Sequence, residues 1–316
     1  MHMIFVNLKR FDVPRTLGGV CPSEEPDVWI DEILSECVEL GLGSRTDLKV
    51  IFLLPEGLLV TASRRLEALP QGKTQGIACG CQGVYREDVT PGGNFGAFTT
   101  HLPAKAARNL GANWAIIGHS EERKDKLELI GRLESRTEGI SEAELARWAG
   151  EIVDEIINKE AIMALAAGMD VLLCVGETAS QRGEGDFGQQ QPRIEAVLKK
   201  QLVSGLRGVK KWLPHRQVVV GYEPIWAIGP GKTPPGQAYI AWVSKTIKKI
   251  VAQEFGLDIP VVYGGGLKED NAGAIGSIGT IDGGLVALTR FTGQIGFEPN
   301  DLAAIVQEFL TARRLI

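Results

Sequence analysis

Short apolar, β-branched runs recur along the chain and alternate with stretches of helical periodicity. The runs predict strands at Met3–Asn7, Lys49–Leu54, Gly76–Gln82, Trp114–Gly118, Asp170–Val175, Gln217–Tyr222, Pro260–Tyr263 and Gly284–Leu288. Most of them, such as VLLCV and VVVGY, are almost continuously apolar, the pattern of a parallel strand covered on both faces. Helices are expected between them, for instance over Asp27–Leu40, Pro192–Leu206 and Gln237–Phe255. Eight such alternations predict an α/β fold in the form of a closed (β/α)8 barrel, rather than a two-domain doubly wound sheet.

One domain is expected over residues 1–316, with a charged helical insertion at 124–160 between the fourth and fifth strands. In the insertion, Ser141 and Glu144 form a capping-box pattern, followed by Leu145, Trp148, Ile152 and Ile156 at helical spacing. An elongated amphipathic helix packed on the barrel follows from that pattern. The segment Thr178–Gln191, rich in Gly, Gln and charge, reads as a loop.

Composition narrows the function. The formal charge is -5 and there is no basic stripe with interleaved aromatics, which argues against a nucleic-acid partner. No stretch approaches the roughly 20 apolar residues of a membrane span, and the apolar run in MHMIFVNLKR is too short for a signal sequence. Cys21, Cys37, Cys79, Cys81 and Cys174 are odd in number and contain no C-x-x-C pair, so reduced thiols in the cytoplasm are expected rather than disulfides or a zinc site. Neither a metal nor a cofactor is expected.

In parallel barrels the chemistry sits at the C-terminal ends of the strands. The first predicted strand ends in Asn7-Leu8-Lys9, the fourth in Gly118-His119-Ser120-Glu121, the sixth in Glu223-Pro224-Ile225-Trp226 and the seventh in Gly264-Gly265-Gly266. One mouth thereby gains a cation, an imidazole, a carboxylate and backbone donors. Such a set suits proton abstraction beside a carbonyl: carboxylate as base, neutral imidazole as electrophile, ammonium as stabiliser of the enediolate. Singly, each residue has a plainer reading, as helix cap, satisfied histidine or solvated lysine. The joint spacing removes those readings.

The strings NLK, GANWAIIGHSEER, LLCVGET, YEPIWAIGPGKTP and VVYGGG, with GAFT at Gly96–Thr99, resemble the triosephosphate isomerase family, as a divergent member. The resemblance spans most of the chain outside the insertion. It implies a TIM barrel and cofactor-free interconversion of glyceraldehyde 3-phosphate and dihydroxyacetone phosphate, a step of glycolysis and gluconeogenesis. It also implies roles by position: Lys9 as the electrostatic lysine, Asn7 as its substrate-positioning neighbour, His119 as electrophile, Glu223 as base and Glu121 as the acid beside the histidine. The pairing of a glutamate base with a neutral histidine is a documented property of that enzyme type and is carried over here by resemblance. Pro224, Ile225, Trp226, Ala227, Ile228, Gly229, Pro230, Gly231 and Lys232 match the mobile lid, and Ile228 and Leu285 the apolar pair that closes over the glutamate. Gly229, Gly265 and Gly266 fall at substrate-binding positions. The loop Gln82–Thr100 matches the one through which relatives form homodimers, with Gly83 where they commonly carry Asn.

The sequence departs from the family where the phosphate is held. The family's Y-G-G-S reads Tyr263-Gly264-Gly265-Gly266 here, and its Gly-Gly pair after the eighth strand has become Ala287-Leu288, with Arg290 close by. Two readings of Arg290 compete: a bidentate replacement for lost backbone donors, or an ion-paired surface arginine beside a degraded site. Pro230 and Pro234 either restrict the lid or pre-organise it. The same isomerase chemistry on a related short sugar phosphate, such as a tetrulose phosphate, is the alternative. A non-catalytic binding paralogue is the third possibility.

Overall fold

A computed structural model describes residues 1–132, 141–229 and 231–315. Eight parallel strands close into a barrel in chain order: β1 His2–Asn7, β2 Leu48–Leu54, β3 Ile77–Cys81, β4 Trp114–Ile117, β5 Asp170–Val175, β6 Val218–Tyr222, β7 Val261–Tyr263 and β8 Gly283–Val286. Closure is made by β1 against β8, from Met3 opposite Gly283 to Val6 opposite Val286. At Gly283 a Cβ would come within 1.8 Å of the Met3 carbonyl oxygen, so a side chain at this seam would force the strands apart.

The period-two alternation divides the strand residues between two cores. Met3, Phe5, Ile51, Leu53, Trp114, Ile116, Leu172, Cys174, Val219, Val262 and Leu285 fill the barrel interior. Their neighbours, including Ile4, Val6, Val50, Phe52, Val171, Leu173 and Val220, face the helices and join the larger outer core. The interior is thus packed rather than open, with Phe5 edge-on to Trp114 at 5.2 Å. Each such side chain contributes about 1.5–3 kcal/mol on burial, so both faces of the sheet are stabilised.

The predicted strands are all present, with edges moved by one or two residues. The largest shift is in β8, which starts at Gly283 and ends at Val286, so Ala287 and Leu288 belong to the following loop. Gln237–Phe255 is helical over the predicted span and stops at Gly256 in the left-handed conformation (φ 63°). The segment Thr178–Gln191 is not simply a loop. It holds a short helix, Ala179–Arg182, and the start of Phe187–Gly205. Capping boxes Thr178/Gln181 and Asp186/Gln189 nucleate both, and they lay hidden in a polar, Gly-rich composition. Pro192 therefore lies inside a helix rather than at its start.

Between β4 and β5 the structure has helices Ser120–Gly131 and Glu142–Ala166, the second opened by the expected Ser141/Glu144 capping box. Residues 133–140 of the expected 124–160 insertion lie outside the described residues. The face of the long helix turned to the barrel differs from the stripe of large side chains. Trp148 and Ile152 are exposed, while Ala149, Val153, Ile157, Ala161 and Ala164 are buried. Small side chains let the helix axis approach the sheet closely, and the bulkier residues one position away are left at the rim.

The same helix is tied to the mouth through Arg123. Its Nη1 donates to Asp154 at 2.8 Å, its Nε to the Gly118 carbonyl at 2.8 Å and its Nη2 to the Cys174 carbonyl at 3.1 Å. Both members of the ion pair are only 7% exposed. Removing Asp154 would strand a buried guanidinium, so Asp154→Ala is expected to cost about 3–5 kcal/mol. Urea unfolding should report this as a lower midpoint with an unchanged slope.

Candidate active site

The candidate side chains lie where β1, β4 and β6 deliver them to the barrel mouth. After β1 the chain turns at Lys9 with φ 41°, a left-handed conformation that costs a side-chain-bearing residue free energy. Three contacts hold it there. The Lys9 N–H donates to Asn7 Oδ1 at 3.0 Å, Gln82 Nε2 donates to the Lys9 carbonyl at 2.7 Å, and Lys9 Nζ reaches Glu121 Oε1 at 2.5 Å. Burial acts to raise the Glu121 carboxyl pKa, but the Lys9 ammonium outweighs it and holds the group below the ordinary range.

His119 is the N-cap of the Ser120–Gly131 helix. Its Nδ1 accepts the Glu121 N–H at 3.3 Å, so the ring proton belongs on Nε2. Nε2 lies 3.2 Å from Glu223 Oε1. The ring is therefore presented as a neutral donor facing the carboxylate.

Glu223 follows β6, and its N–H donates to the Val175 carbonyl at 2.8 Å. It is 2% exposed, which would be costly for an unpartnered carboxylate. Ser120 satisfies it twice, through N–H to Oε2 and Oγ–H to Oε1, each at 2.9 Å. Gly176 and Gly264 give the backbone and side chain of Glu223 their room: a Cβ at Gly176 would sit 1.8 Å from the Glu223 carbonyl oxygen. In the segment expected to form the lid, Ile225–Ala227 make a 3-10 turn directly after Pro224, Ile228 is half-buried, and Gly229, Gly231 and Lys232 are exposed. Leu285 is buried in the barrel interior. Pro230, and with it the expectation that it stiffens the lid, lies outside the described residues.

The structure thus brings Lys9, Asn7, His119, Glu121 and Glu223 into one connected cluster. Gly265 and Gly266 border the mouth after β7, with Gly266 at φ 88°. Arg290 sits in the loop after β8, where Nε and Nη2 meet Asp301 and Nη1 meets Glu298, at 3.0–3.5 Å.

Two groups of residues escaped the sequence reading. Glu177, inside the quoted string LLCVGET, is fully buried. Its Oε1 accepts from Tyr222 Oη at 2.9 Å, Tyr239 Oη at 2.8 Å and Trp226 Nε1 at 2.7 Å. It thereby fastens the Ile225–Ala227 turn to β6 and to the Gln237–Phe255 helix. The Arg182 guanidinium covers the other side of Trp226, 3.7 Å from the ring centroid. An acidic residue after a strand looks the same in sequence whether it is exposed or carries three donors.

The second group supports His119 from behind. Glu122 accepts the Gly118 N–H at 2.6 Å, and Lys126 pairs with both Glu122 and Glu160. Burial pushes the Glu160 carboxyl up to about 9, aided by the neighbouring Glu122. Glu160 accordingly holds a proton at neutral pH, while its hydrogen bond, Lys126 and the Gly118 N–H keep Glu122 below the ordinary range against its own burial.

Comparisons with known proteins point to one family. A family model described as triosephosphate isomerase matches residues 56–307. A triosephosphate isomerase of Chlorobium phaeovibrioides is 33% identical over 216 residues, 67% of this chain and 70% of that protein. One from a Roseiflexus species is 32% identical over 249 residues, 78% and 81% respectively. A crystal structure of triosephosphate isomerase from Bartonella henselae superposes with a TM-score of 0.63 at 22% identity, covering 98% of this chain and 99% of that one. That likeness concerns the fold.

A pH prediction follows from the Glu160 cluster. A carboxyl whose folded pKa is raised stabilises the fold fully below its unfolded value, near 4.5, and loses that contribution as pH rises through about 9. Unfolding free energy should therefore decline between pH 5 and 9, and Glu160→Gln should flatten the decline. Chemical denaturation across that range measures both.

Proposed function

The chain belongs to the triosephosphate isomerase family, and from that premise we propose that it is an isomerase that interconverts glyceraldehyde 3-phosphate and dihydroxyacetone phosphate through an enediolate. One observation supports the reading above the others: the buried Glu223 carboxylate faces the Nε2 of a histidine whose Nδ1 is an acceptor. Glu223 takes a proton from the carbon beside the carbonyl once its carboxylate leaves Ser120. His119 Nε2–H polarises the carbonyl oxygen, and the Lys9 ammonium stabilises the negative charge that develops there. Glu223 then returns the proton to the neighbouring carbon while His119 Nε2 gives its proton to the carbonyl oxygen and regains one from the adjacent hydroxyl, so the reaction is redox-neutral overall and consumes no co-substrate. Triosephosphate isomerase is itself the reference case for a glutamate base paired with a neutral histidine, and the Nδ1 contact gives a local reason for that tautomer here.

Asn7 positions the lysine, and Glu121 balances its charge. Pro224 to Lys232 act as the lid, with Ile228 and Leu285 excluding water over the glutamate and Gly229, Gly265 and Gly266 offering backbone donors. A homodimer through the loop Gln82–Thr100 is part of the same reading. Phe95, 86% exposed near the tip of that loop, supports it. Among the described residues no helix is long and apolar enough to cross a membrane.

The altered loop after β8 favours one alternative, the same chemistry on a longer short-chain sugar phosphate. Turnover of glyceraldehyde 3-phosphate against a panel of tetrose and pentose phosphates decides between them, and negligible turnover of all would reject both. Glu223→Gln should lower kcat by about 10²–10⁴-fold on any accepted substrate, the worth of a positioned general base. A coupled assay that finds near-normal kcat would remove Glu223 from that role.

A further inference from the structure

The anion-holding side of the mouth is built differently from the reacting side. In (β/α)8 barrels a phosphate frequently rests between the loops after the seventh and eighth strands, on backbone N–H groups and the N-terminus of a short extra helix. Here the loop after β8 contains no helix before Pro299. Instead it folds back on itself: the Thr289 and Arg290 N–H groups both donate to the Gly296 carbonyl, and the Gly296 N–H donates to the Arg290 carbonyl. Those donors are spent within the loop. Arg290, the obvious replacement by sequence, has its guanidinium engaged on three nitrogens by Asp301 and Glu298.

Lys268 is placed otherwise. It follows Gly266 by two residues, and Asn271 fixes the turn, accepting the Lys268 N–H at 2.9 Å and donating to the Gly266 carbonyl at 3.0 Å. From this loop the side chain crosses to the loop after β8, where Nζ lies 4.0 Å from the centroid of Phe291. One side chain thus bridges the two loops that border the phosphate position. Among the described residues no carboxylate lies within ion-pair distance of Lys268, although exposed Glu269 and Asp270 follow it in sequence. A ring face holds an ammonium in place without accepting its N–H groups as a carboxylate would, so charge and donors stay available.

We propose that Lys268, seated on Phe291, is the residue that binds the anionic end of the substrate, a phosphate monoester, supplying the charge that Arg290, paired with Asp301 and Glu298, does not. Lysine serves such sites as a point charge, which suits a position reached by one flexible side chain. The inference rests on the proposed isomerase reading for the identity of the substrate, and on geometry alone for the identity of the cation.

Binding of inorganic phosphate, measured by calorimetry on the intact protein, tests it without turnover. Lys268→Gln should weaken phosphate binding about tenfold or more, the worth of a charged hydrogen bond. Lys268→Arg, which keeps the charge, should stay within about threefold of the parent protein. Loss of binding in Arg290→Gln but not in Lys268→Gln would overturn the assignment, as would a parent protein that binds no phosphate. Turnover of glyceraldehyde 3-phosphate separates this from the functional reading. Phosphate binding that depends on Lys268, without turnover of any sugar phosphate, would sink the proposed reaction and leave the cation assignment standing. Normal turnover with unchanged phosphate binding in Lys268→Gln would do the reverse.

Discussion

Closing eight parallel strands on one another is the constraint from which the rest of this structure follows. Closure removes both sheet edges and fixes the inward and outward faces of every strand at once. Leu172 and Cys174 point into the barrel because Val171, Leu173 and Val175 face the helices, and the same alternation holds in β1 and β2. With the interior filled by Phe5, Trp114 and their neighbours, no cavity through the barrel is left to hold a substrate. Chemistry is pushed to the strand ends, where the backbone leaves the ladder and side chains from β1, β4 and β6 converge. Gly176 and Gly264 show how tight that convergence is, since a single Cβ at either would collide with Glu223.

Burying carboxylates at such an end is costly, and the structure offsets the cost in three different ways. Glu223 is held by two donors from Ser120 and by the histidine, contacts that a substrate can exchange. Glu177 is held by three aromatic donors, two of them on β6 and the Gln237–Phe255 helix and the third on the Ile225–Ala227 turn. Glu160 is pushed up by burial and by the neighbouring Glu122, with Lys126 paired to both. The first arrangement is exchangeable and suits the proposed base, the second is an anchor, and the third is tied to the Gly118 N–H beside His119. The same side-chain chemistry takes three roles because its partners differ in what they can release.

These differences explain what could be read from the sequence. Strand positions were legible because burial on both faces leaves continuous apolar runs. Lys9, His119 and Glu223 were legible because each lies within two residues of a strand end, in strings shared with a family. The helix face was not: Trp148 and Ile152 obey the helical period as well as Ala149 and Val153 do, and only close packing decides which stripe turns inward. The caps at Thr178 and Asp186 were obscured because Gly and Gln dominate their surroundings. Glu177 was quoted in a motif without a role, since its three donors come from residues 45 to 62 positions away.

The two ends of the mouth that the proposed function assigns to reaction and to anion binding also differ in how freely they can change. Moving a proton between adjacent carbons requires base and electrophile within hydrogen-bond reach of the same atoms, which leaves Glu223 and His119 little latitude. An anion can be held by amides, a helix terminus or a single ammonium, provided that charge and donors arrive at roughly the same place. Thr289 and Arg290 spend their N–H groups on Gly296, so those two amides of the loop after β8 do not join an anion cradle. A loop free of that duty can alter its length and side chains without disturbing Glu223, which answers to Ser120 and His119 on the other side of the mouth. On the proposed reading, reaction type rests on the ends of β4 and β6, while the choice among sugar phosphates falls to the loops after β7 and β8.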